Sequence, residues 1–257
     1  MNISQKFDLS GKVAIITGSS KGIGEAMARG MAEAGASVVI SSRKQEAVDA
    51  VAQKFKEDGL EAMGIACHVG QEDQLKNLVD QTVERYGGVD ILVNNAAINP
   101  IWTPIAQVDG AIFDKMVQVN VKSCFLLSNM CYPYMEKRGG GSIIHISSVE
   151  GLKPSFGLGV YSMTKAAVIM LAQNQAKEWG PDKIRVNAIC PGLVKTKLSA
   201  GLWSNEAILN KYEESIPLGR MAMPDEMVGL ALFLASGASS YTTGGVFTAD
   251  GGYMLAG

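Results

Sequence analysis

Short β-rich runs alternate along this chain with longer segments whose apolar residues recur at helical spacing. The strand candidates are residues 13–17, 37–41, 62–66, 91–93, 142–147, 184–189 and 246–248. The helix candidates are residues 22–34, 45–57, 71–86, 110–137, 160–179 and 225–235. This alternation is typical of parallel strands joined by right-handed crossover helices. The sequence therefore predicts an α/β Rossmann fold: a doubly wound, seven-stranded parallel sheet with helices on both faces.

The chain offers no point at which to divide it. Its 257 residues are 47% hydrophobic, enough for one substantial core, and we find no low-complexity linker or repeat. We expect residues 1–257 to form a single domain. The least regular stretch, residues 193–217, mixes Gly, Ser, Trp and charged residues before the last helix. We interpret it as a mobile substrate lid, with a peripheral helical excursion as the alternative.

Charge and composition exclude several classes of partner. The net charge is -2 and the basic residues are scattered, so neither nucleic acid nor an anionic membrane is expected as a partner. The N-terminus lacks a signal-like apolar stretch, and no segment has the length of a membrane span. The four cysteines form no CxxC pair, and with two histidines they make no convincing metal site. A cytoplasmic protein without a metal is the simplest expectation.

The first predicted strand runs into the glycine-rich stretch TGSSKGIG, residues 17–24. Glycines at a strand-to-helix turn let the backbone approach a pyrophosphate, and the free N–H groups at the helix start attract the anion. A tight turn without a ligand is the alternative interpretation. The cofactor contacts predicted here are Gly18, Ser20, Lys21, Gly22, Ile23 and Gly24.

The end of the second predicted strand indicates which dinucleotide binds. An acidic side chain there would accept hydrogen bonds from the ribose 2′-OH of NAD, but the sequence carries Ser42 and Arg43 instead. The Arg43 guanidinium suits a phosphate, and Lys21 adds a second cation. The pattern predicts NADP(H) as cofactor. Alternatively, Arg43 and Lys44 only solvate the start of a helix.

Tyr161 and Lys165 lie four residues apart in the predicted helix 160–179, on one face and about one turn apart. Reduction of a carbonyl needs a proton donor, which a tyrosine provides, and a nearby ammonium would stabilise the phenolate. By itself this spacing is common on helix surfaces. Its interpretation depends on the other motifs.

Taken together, the motifs resemble the short-chain dehydrogenase/reductase family. They comprise the GxxxGxG turn, the NNAA run at residues 94–97, Asn120, Ser148, the Tyr161 and Lys165 pair, and Pro191-Gly192 followed by Thr196. NNAA departs from the family's usual NNAG but removes no chemical group. Several loop segments resemble the NADPH-dependent carbonyl/retinal reductase branch.

The resemblance implies a role for each matching residue. Tyr161 becomes the general acid in reduction, and Ser148, thirteen residues earlier, orients and polarises the carbonyl. Lys165 binds the nicotinamide ribose and lowers the pKa of the tyrosine, and Asn120 supports a water-linked proton path to the lysine. The further cofactor positions are Asn94, Ala96, Pro191, Gly192, Val194, Thr196, His68 and Val69. A loop residue without a ligand role is an equally good interpretation of His68. His145 is interpreted as a packed core residue.

The function expected from this resemblance is NADPH-dependent reduction of ketones and aldehydes to alcohols. Candidates for the substrate pocket are Trp102, Glu150, Phe156, Leu158, Leu193 and Trp203, among which Glu150 could select a polar or cationic group. The main alternative is a 3-oxoacyl thioester reductase, with Arg138 and Lys183 receiving an acidic carrier protein. A cofactor-binding regulator without catalysis is a third hypothesis. Relatives form homotetramers through helices matching 110–137 and 160–179 and the last strand, which implies the same assembly here.

Overall fold

The computed structural model describes residues 2–255 and places all seven predicted strands in one sheet. The strands are β1 Val13–Thr17, β2 Ser37–Ser42, β3 Ala62–Ala66, β4 Ile91–Asn94, β5 Gly141–Ile146, β6 Ile184–Pro191 and β7 Val246–Ala249. Their order is β3-β2-β1-β4-β5-β6-β7, and every neighbouring pair is parallel. The strand order reverses between β1 and β4, and a crevice for ligands opens at the carboxyl ends of strands at such a point. The predicted doubly wound fold is confirmed.

Helices cover both faces of this sheet. They are α1 Ile3–Lys6, α2 Gly22–Glu33, α3 Gln45–Glu57, α4 Glu72–Tyr86, α5 Gly110–Val117, α6 Ser123–Lys137, α7 Gly159–Trp179, α8 Ala200–Trp203, α9 Glu206–Glu214 and α10 Val228–Ala235. Along β1, Ala14 and Ile16 pack in the core formed with α2, α3 and α10. Ile15 points the other way, into the core formed with α4, α6 and α7. Successive side chains of a strand thus fill opposite cores.

The predicted helix 110–137 is not a single α-helix. A π-helical segment, Gln118–Lys122, separates α5 from α6 and contains Asn120. Such segments are rare and often lie at functional sites. The periodicity of the sequence predicts the two flanking helices but not the wider turn between them. The predicted last helix, 225–235, also begins differently, with a 3-10 turn at Pro224–Met227 before α10.

Residues 193–217 contain the short helices α8 and α9, so the segment is more ordered than its composition indicates. Its two ends are anchored in the protein: Val194 forms a β-bridge with Ala222, and Ile216 is buried. The middle of the segment is more exposed than these ends. An excursion anchored at both ends has the form of a lid, and its mobility remains a prediction.

No helix within residues 2–255 combines the length and hydropathy needed to cross a membrane. The same residues contain no cluster of three or more His, Cys, Asp or Glu side chains that could hold a metal ion. All four cysteines are buried and unpaired.

Candidate active site

The glycine-rich turn joins β1 to α2 with the close packing that its sequence predicts. Gly18 and Gly22 have φ angles of 66° and 63°, in the left-handed region where glycine carries no steric cost. The Asn95 amide donates from Nδ2 to the carbonyls of Thr17 and Gly18, at 2.8 and 3.2 Å. A Cβ on Gly24 would lie 2.5 Å from that same Nδ2 atom. Glycine is therefore required at Gly18 and Gly22 by the backbone conformation, and at Gly24 by the lack of space for a side chain.

This turn fits the pyrophosphate of a dinucleotide. The first N–H groups of α2 have no partner within the helix, and its N-cap residue Lys21 makes no side-chain cap bond. These N–H groups and the positive end of the helix attract a phosphate, and small residues let it approach. Ile23 and Thr196 extend the same surface into the neighbouring cavity.

Two cations lie at the ends of β1 and β2, where a 2′-phosphate would be bound. Arg43 and Lys21 are both exposed, and neither forms an ion pair with any residue in 2–255. Ser42, the last residue of β2, is half-buried beside Arg43. The arrangement leaves both positive charges available to a ligand.

Ser19 and Asn95 fix this turn, and sequence reasoning gave neither a role. The Ser19 hydroxyl donates to the Ile16 carbonyl at 2.6 Å and accepts from the Ser41 N–H at 2.9 Å, which ties the turn to β2. The N–H groups of Asn95 and Ala96 both donate to Thr17 Oγ1 at 3.0 Å. The signal in the sequence for a role of Asn95 was its position as the second asparagine of the NNAA run.

The side chain of Asn94 points into the core, and its predicted place beside the cofactor ribose stays a prediction. Its side chain is buried, donates from Nδ2 to Ser128 Oγ at 3.1 Å and lies 3.3 Å from His145 Nδ1. His145 Nε2 lies 2.8 Å from Gln175 Oε1, and burial lowers the pKa of His145 to about 4. The Asn94 side chain thus faces the core, because a neutral buried histidine needs polar partners. The interpretation of His145 as a core residue agrees with this structure.

His68 takes part in a local turn after β3. Its ring atom Nδ1 accepts a hydrogen bond from the Gly70 N–H at 3.1 Å, and its backbone N–H donates to Gln74 Oε1 at 2.7 Å. The neighbouring Val69 is buried. The structure therefore shows His68 hydrogen-bonded within its own loop. Contact of His68 or Val69 with adenine remains a prediction.

The predicted catalytic side chains Ser148, Tyr161 and Lys165 line one cavity of about 860 Å³. Ser148 follows β5, whereas Tyr161 and Lys165 lie on α7. The Glu150 N–H donates to Ser148 Oγ at 3.1 Å, which leaves the hydroxyl proton free to donate elsewhere. The neighbouring Ser147 also lines the cavity, but its hydroxyl proton is already used because it donates to the Lys165 carbonyl at 2.8 Å. This supports the choice of Ser148 over Ser147.

Burial raises the pKa of the Tyr161 phenol above its ordinary value of 10.0, and hydrogen bonding with the Ser148 hydroxyl opposes that shift. The sequence prediction was that Lys165 would lower this pKa. The net direction in this structure is upward, because desolvation of the buried phenol disfavours the phenolate. The phenol is therefore protonated at neutral pH, as a proton donor must be, although burial makes it a weaker acid than a free phenol.

Lys165 is a buried ammonium, only 3% exposed, whose Nζ donates to the Ile146 carbonyl at 2.7 Å. Burial lowers its pKa from 10.5 to about 8. No carboxylate in residues 2–255 forms an ion pair with it. The side chain is thus still mainly charged at neutral pH.

We expect this buried lysine to make stability depend on pH. Between pH 8 and 10.5 the unfolded chain binds the Lys165 proton while the folded protein has released it. The unfolding free energy of the wild type should therefore rise through this range relative to Lys165→Met, by at most about 3 kcal/mol. Denaturant unfolding of both proteins at pH 7 and pH 10 measures the difference. A value of wild type minus Lys165→Met that stays constant or falls between pH 7 and pH 10 would contradict the assignment.

Asn120 links two elements without touching Lys165. Its side chain accepts from the Ile98 N–H at 2.8 Å and donates to the Ile98 carbonyl and to Thr164 Oγ1, at 2.9 and 3.1 Å. Both amide protons are thereby used. The structure gives this side chain a scaffolding role between the loop after β4 and α7, and the water-linked path stays a prediction.

The remaining wall of the cavity is mostly apolar. Of the substrate candidates, Trp102, Glu150, Phe156, Leu158 and Leu193 line it. Trp203 is not on this wall and instead donates from Nε1 to the Thr196 carbonyl at 2.8 Å. Pro191, Gly192 and Val194 also contribute. From α9, Ile208 and Tyr212 face the same space, and sequence reasoning did not identify them because the segment has no clear periodicity.

Comparison with known proteins agrees with this geometry. Residues 18–254 match the family model described as enoyl-(acyl carrier protein) reductase. Dehydrogenase/reductase SDR family member 4 of Sus scrofa is 42% identical over 250 residues, covering 97% of this chain and 90% of the relative. A gluconate 5-dehydrogenase from Burkholderia cenocepacia J2315, solved with NADP and tartrate, has a TM-score of 0.96 and 34% identity over all of both chains. A 7α-hydroxysteroid dehydrogenase, solved with NADH and 7-oxo glycochenodeoxycholic acid, has a TM-score of 0.94 and 36% identity over 98% of each chain.

A doubly wound sheet with a phosphate-binding turn, beside a cavity that holds Ser148, Tyr161 and Lys165, defines a dinucleotide-dependent oxidoreductase. Its cofactor is a nicotinamide dinucleotide, NAD(P)(H). The chain belongs to the short-chain dehydrogenase/reductase family, as its sequence motifs predict.

Proposed function

We propose that the protein uses NADPH to reduce ketones and aldehydes to alcohols, in a reversible reaction with Tyr161 as general acid and base. The observation that carries this proposal is the interaction of the Tyr161 phenol with the Ser148 hydroxyl on the wall of a largely apolar cavity. A carbonyl oxygen placed between them would meet two hydroxyl donors. Such donors stabilise the negative charge that develops on this oxygen during reduction.

Each side chain has a separate task in this reaction. When bound, the nicotinamide supplies the hydride that adds to the carbonyl carbon. Tyr161 gives its proton to the carbonyl oxygen, and Ser148 holds that oxygen through its hydroxyl. The Lys165 ammonium would stabilise the phenolate left on Tyr161 and would contact the nicotinamide ribose. Gly18, Gly22 and Gly24 provide the close approach at the pyrophosphate.

The test is a panel of simple aldehydes, ketones and diketones with NADPH, followed through cofactor consumption and chiral analysis of the alcohol. We expect consumption with apolar ketones or aldehydes, because the cavity wall is largely aromatic and aliphatic. Absence of turnover with every carbonyl of the panel, in protein that binds NADPH, would overturn the proposal.

We further propose that Arg43 and Lys21 select NADPH over NADH. Removal of a guanidinium that pairs with the 2′-phosphate should raise the KM for NADPH about 10- to 100-fold, since charge-assisted hydrogen bonds contribute about 1.5–3 kcal/mol. We expect Arg43→Ala to show this change and to leave the KM for NADH nearly unaltered. Initial rates with both cofactors at one saturating carbonyl concentration measure it.

Lys44→Ala is the matched control for Arg43→Ala, because Lys44 is also an exposed cation and lies one residue further along. It should keep the wild-type preference if the guanidinium, and not the general positive charge of this loop, selects the cofactor. A wild-type preference for NADH that Arg43→Ala leaves unchanged would contradict the assignment.

A 3-oxoacyl thioester reductase remains the alternative, but the structure weakens the argument for carrier-protein binding. Arg138 donates from Nε to Asp90 Oδ1 at 3.0 Å and from Nη2 to the Gly11 carbonyl at 3.1 Å. This guanidinium is engaged within the protein. Acetoacetyl thioester turnover compared with simple ketone turnover separates the two functions.

We also propose that the protein is a homotetramer assembled through α5, α6 and α7. Large apolar side chains of these helices are exposed, between 39 and 57% for Phe113, Phe125, Met163 and Met170. Contiguous exposed apolar surface is typical of protein interfaces. Light scattering on the purified protein should give four times the chain mass, and a monomer mass would contradict this assembly.

A further inference from the structure

Glu150 is the only acidic side chain on the cavity wall within residues 2–255. It lies two residues after Ser148 in the 3-10 turn Val149–Gly151 and is 7% exposed. Ser155 Oγ donates to its Oε1 atom at 2.8 Å, and Ser162 Oγ donates to its Oε2 atom at 3.3 Å. The carboxylate is thus held in one orientation beside the residues proposed to act on the carbonyl.

The charge of Glu150 has no cationic partner within residues 2–255. No Lys or Arg of the described chain forms an ion pair with it. Burial raises its pKa, and the hydrogen bonds of the two serines oppose that shift. Buried carboxylates are normally paired with cations, because hydroxyl donors replace only part of the lost hydration. A cationic group of a bound ligand would supply the rest of the compensation for the hydration that the carboxylate has lost.

The position of the carboxylate indicates where that group would lie. Tyr161 has a pKa raised by burial and, in addition, by the Glu150 charge. Tyr212 on α9 has a pKa raised by burial, by Tyr253 and also by Glu150. Glu150, Tyr161 and Tyr212 also line the same cavity. A ligand in contact with it occupies the substrate side of the cavity.

The other charged side chains of the wall are two lysines. Lys165 donates to the Ile146 carbonyl, and Lys211 is exposed on α9. Lys211 could attract an anionic substrate from the cavity mouth, so an oxo-carboxylate is the competing ligand class. The buried and oriented carboxylate favours a cation, because a fixed and desolvated charge discriminates more strongly than an exposed flexible one.

We propose that Glu150 forms a subsite for a cationic group of the substrate, an alkylammonium carried by the ketone that is reduced. This inference rests on the proposed carbonyl reductase function and adds a substrate class to it. Glu150 is then a specificity-determining residue, and the matching substrates are amino ketones.

Two ketones of the same shape test the subsite. N,N-dimethyl-4-oxopiperidinium carries a permanent positive charge, and 4,4-dimethylcyclohexanone is its neutral counterpart. We expect the ratio of kcat/KM for the cation to that for the neutral ketone to fall about tenfold or more in Glu150→Gln, as for loss of a close charge pair. Ratios cancel the different intrinsic reactivity of the two carbonyls. Quenching of the intrinsic tryptophan fluorescence gives the affinity of both compounds for the wild type without turnover, and the cation should bind more tightly.

Ser155→Ala is the control, because it removes one hydrogen bond to Glu150 and leaves the charge. It should retain the preference for the cation, whatever its effect on the overall rate. Equal losses for both ketones in Glu150→Gln would show a purely structural role and overturn the inference. So would equal binding of both compounds by the wild type, or a preference for 4-oxocyclohexanecarboxylate that depends on Lys211. If the wild type reduces none of these ketones, the binding comparison alone decides the subsite, and the reductase proposal fails only when the whole carbonyl panel is also left unreduced.

Discussion

We expect Tyr161→Phe to lower kcat for ketone reduction about 10³-fold, while the protein folds and binds NADPH as the wild type does. General acid catalysis contributes about 10²- to 10⁴-fold to such reactions, and phenylalanine keeps the ring but has no proton to give. Ser148 cannot replace the lost donor, because a serine hydroxyl is a much weaker acid than a phenol. Steady-state rates, with NADPH affinity measured separately, distinguish loss of chemistry from loss of binding.

Tyr86→Phe provides the matched control for this substitution. Tyr86 lies at the end of α4, its hydroxyl donates to Glu61 Oε1 at 2.8 Å, and it does not line the cavity. This variant loses the same atom and should keep wild-type kcat. Near-normal reductase activity in a folded Tyr161→Phe protein would remove tyrosine from the mechanism.

We expect Gly24→Ala, a substitution in the glycine-rich turn, to lose both stability and cofactor binding. The added methyl would lie 2.5 Å from Asn95 Nδ2 and 2.6 Å from the Gly18 carbonyl oxygen. Because one of the contacted atoms belongs to the backbone, movement of a side chain alone cannot relieve the contact and the turn must shift. We expect this shift to lower the unfolding free energy by about 1–3 kcal/mol. Because the same turn presents the N–H groups to the pyrophosphate, we expect NADPH affinity to fall at least about tenfold. Denaturant unfolding and a cofactor titration measure the two effects.

Gly229→Ala separates this packing effect from the general consequence of replacing a helical glycine. Gly229 lies in α10, and a Cβ there would meet no atom within 4 Å. Alanine is favoured over glycine within helices by about 0.5–1 kcal/mol, so this variant should be as stable as the wild type or slightly more so. Equal behaviour of the two variants would show that the contacts of Gly24 are not limiting.

The features predicted well from sequence depend on neighbours along the chain. Strand and helix periodicities are local, and so are the glycines of residues 17–24 and the one-turn spacing of Tyr161 and Lys165. The doubly wound sheet follows from the same alternation, since crossover handedness leaves few arrangements. For these reasons the fold class could be stated before any coordinates, whereas the pairing of Ser148 with Tyr161 was expected from the family resemblance.

The features missed from sequence depend on side-chain direction and on contacts between distant residues. Asn95 and Thr17 are 78 positions apart, and nothing in their spacing indicates that they hold the turn together. Asn94 belongs to a recognisable motif, yet its side chain turns toward His145. The composition of residues 193–217 indicates a lid but not that Tyr212 would face the cavity. Rotamers of this kind are decided by packing across the fold.

The π-helical segment Gln118–Lys122 has a consequence for how this part of the chain can diverge. Deletion of one residue within the segment can convert its wide turn to an α-helical one and keep α5 and α6 in phase, whereas a deletion between Ser123 and Leu126 would rotate everything after it by about 100°, the turn made by one residue of an α-helix. Leu127 and Cys131, now packed beneath the sheet, would then leave that core together. Natural variants of this enzyme should therefore tolerate a one-residue change of length within the π-helical segment but conserve the residue count from Ser123 to Cys131.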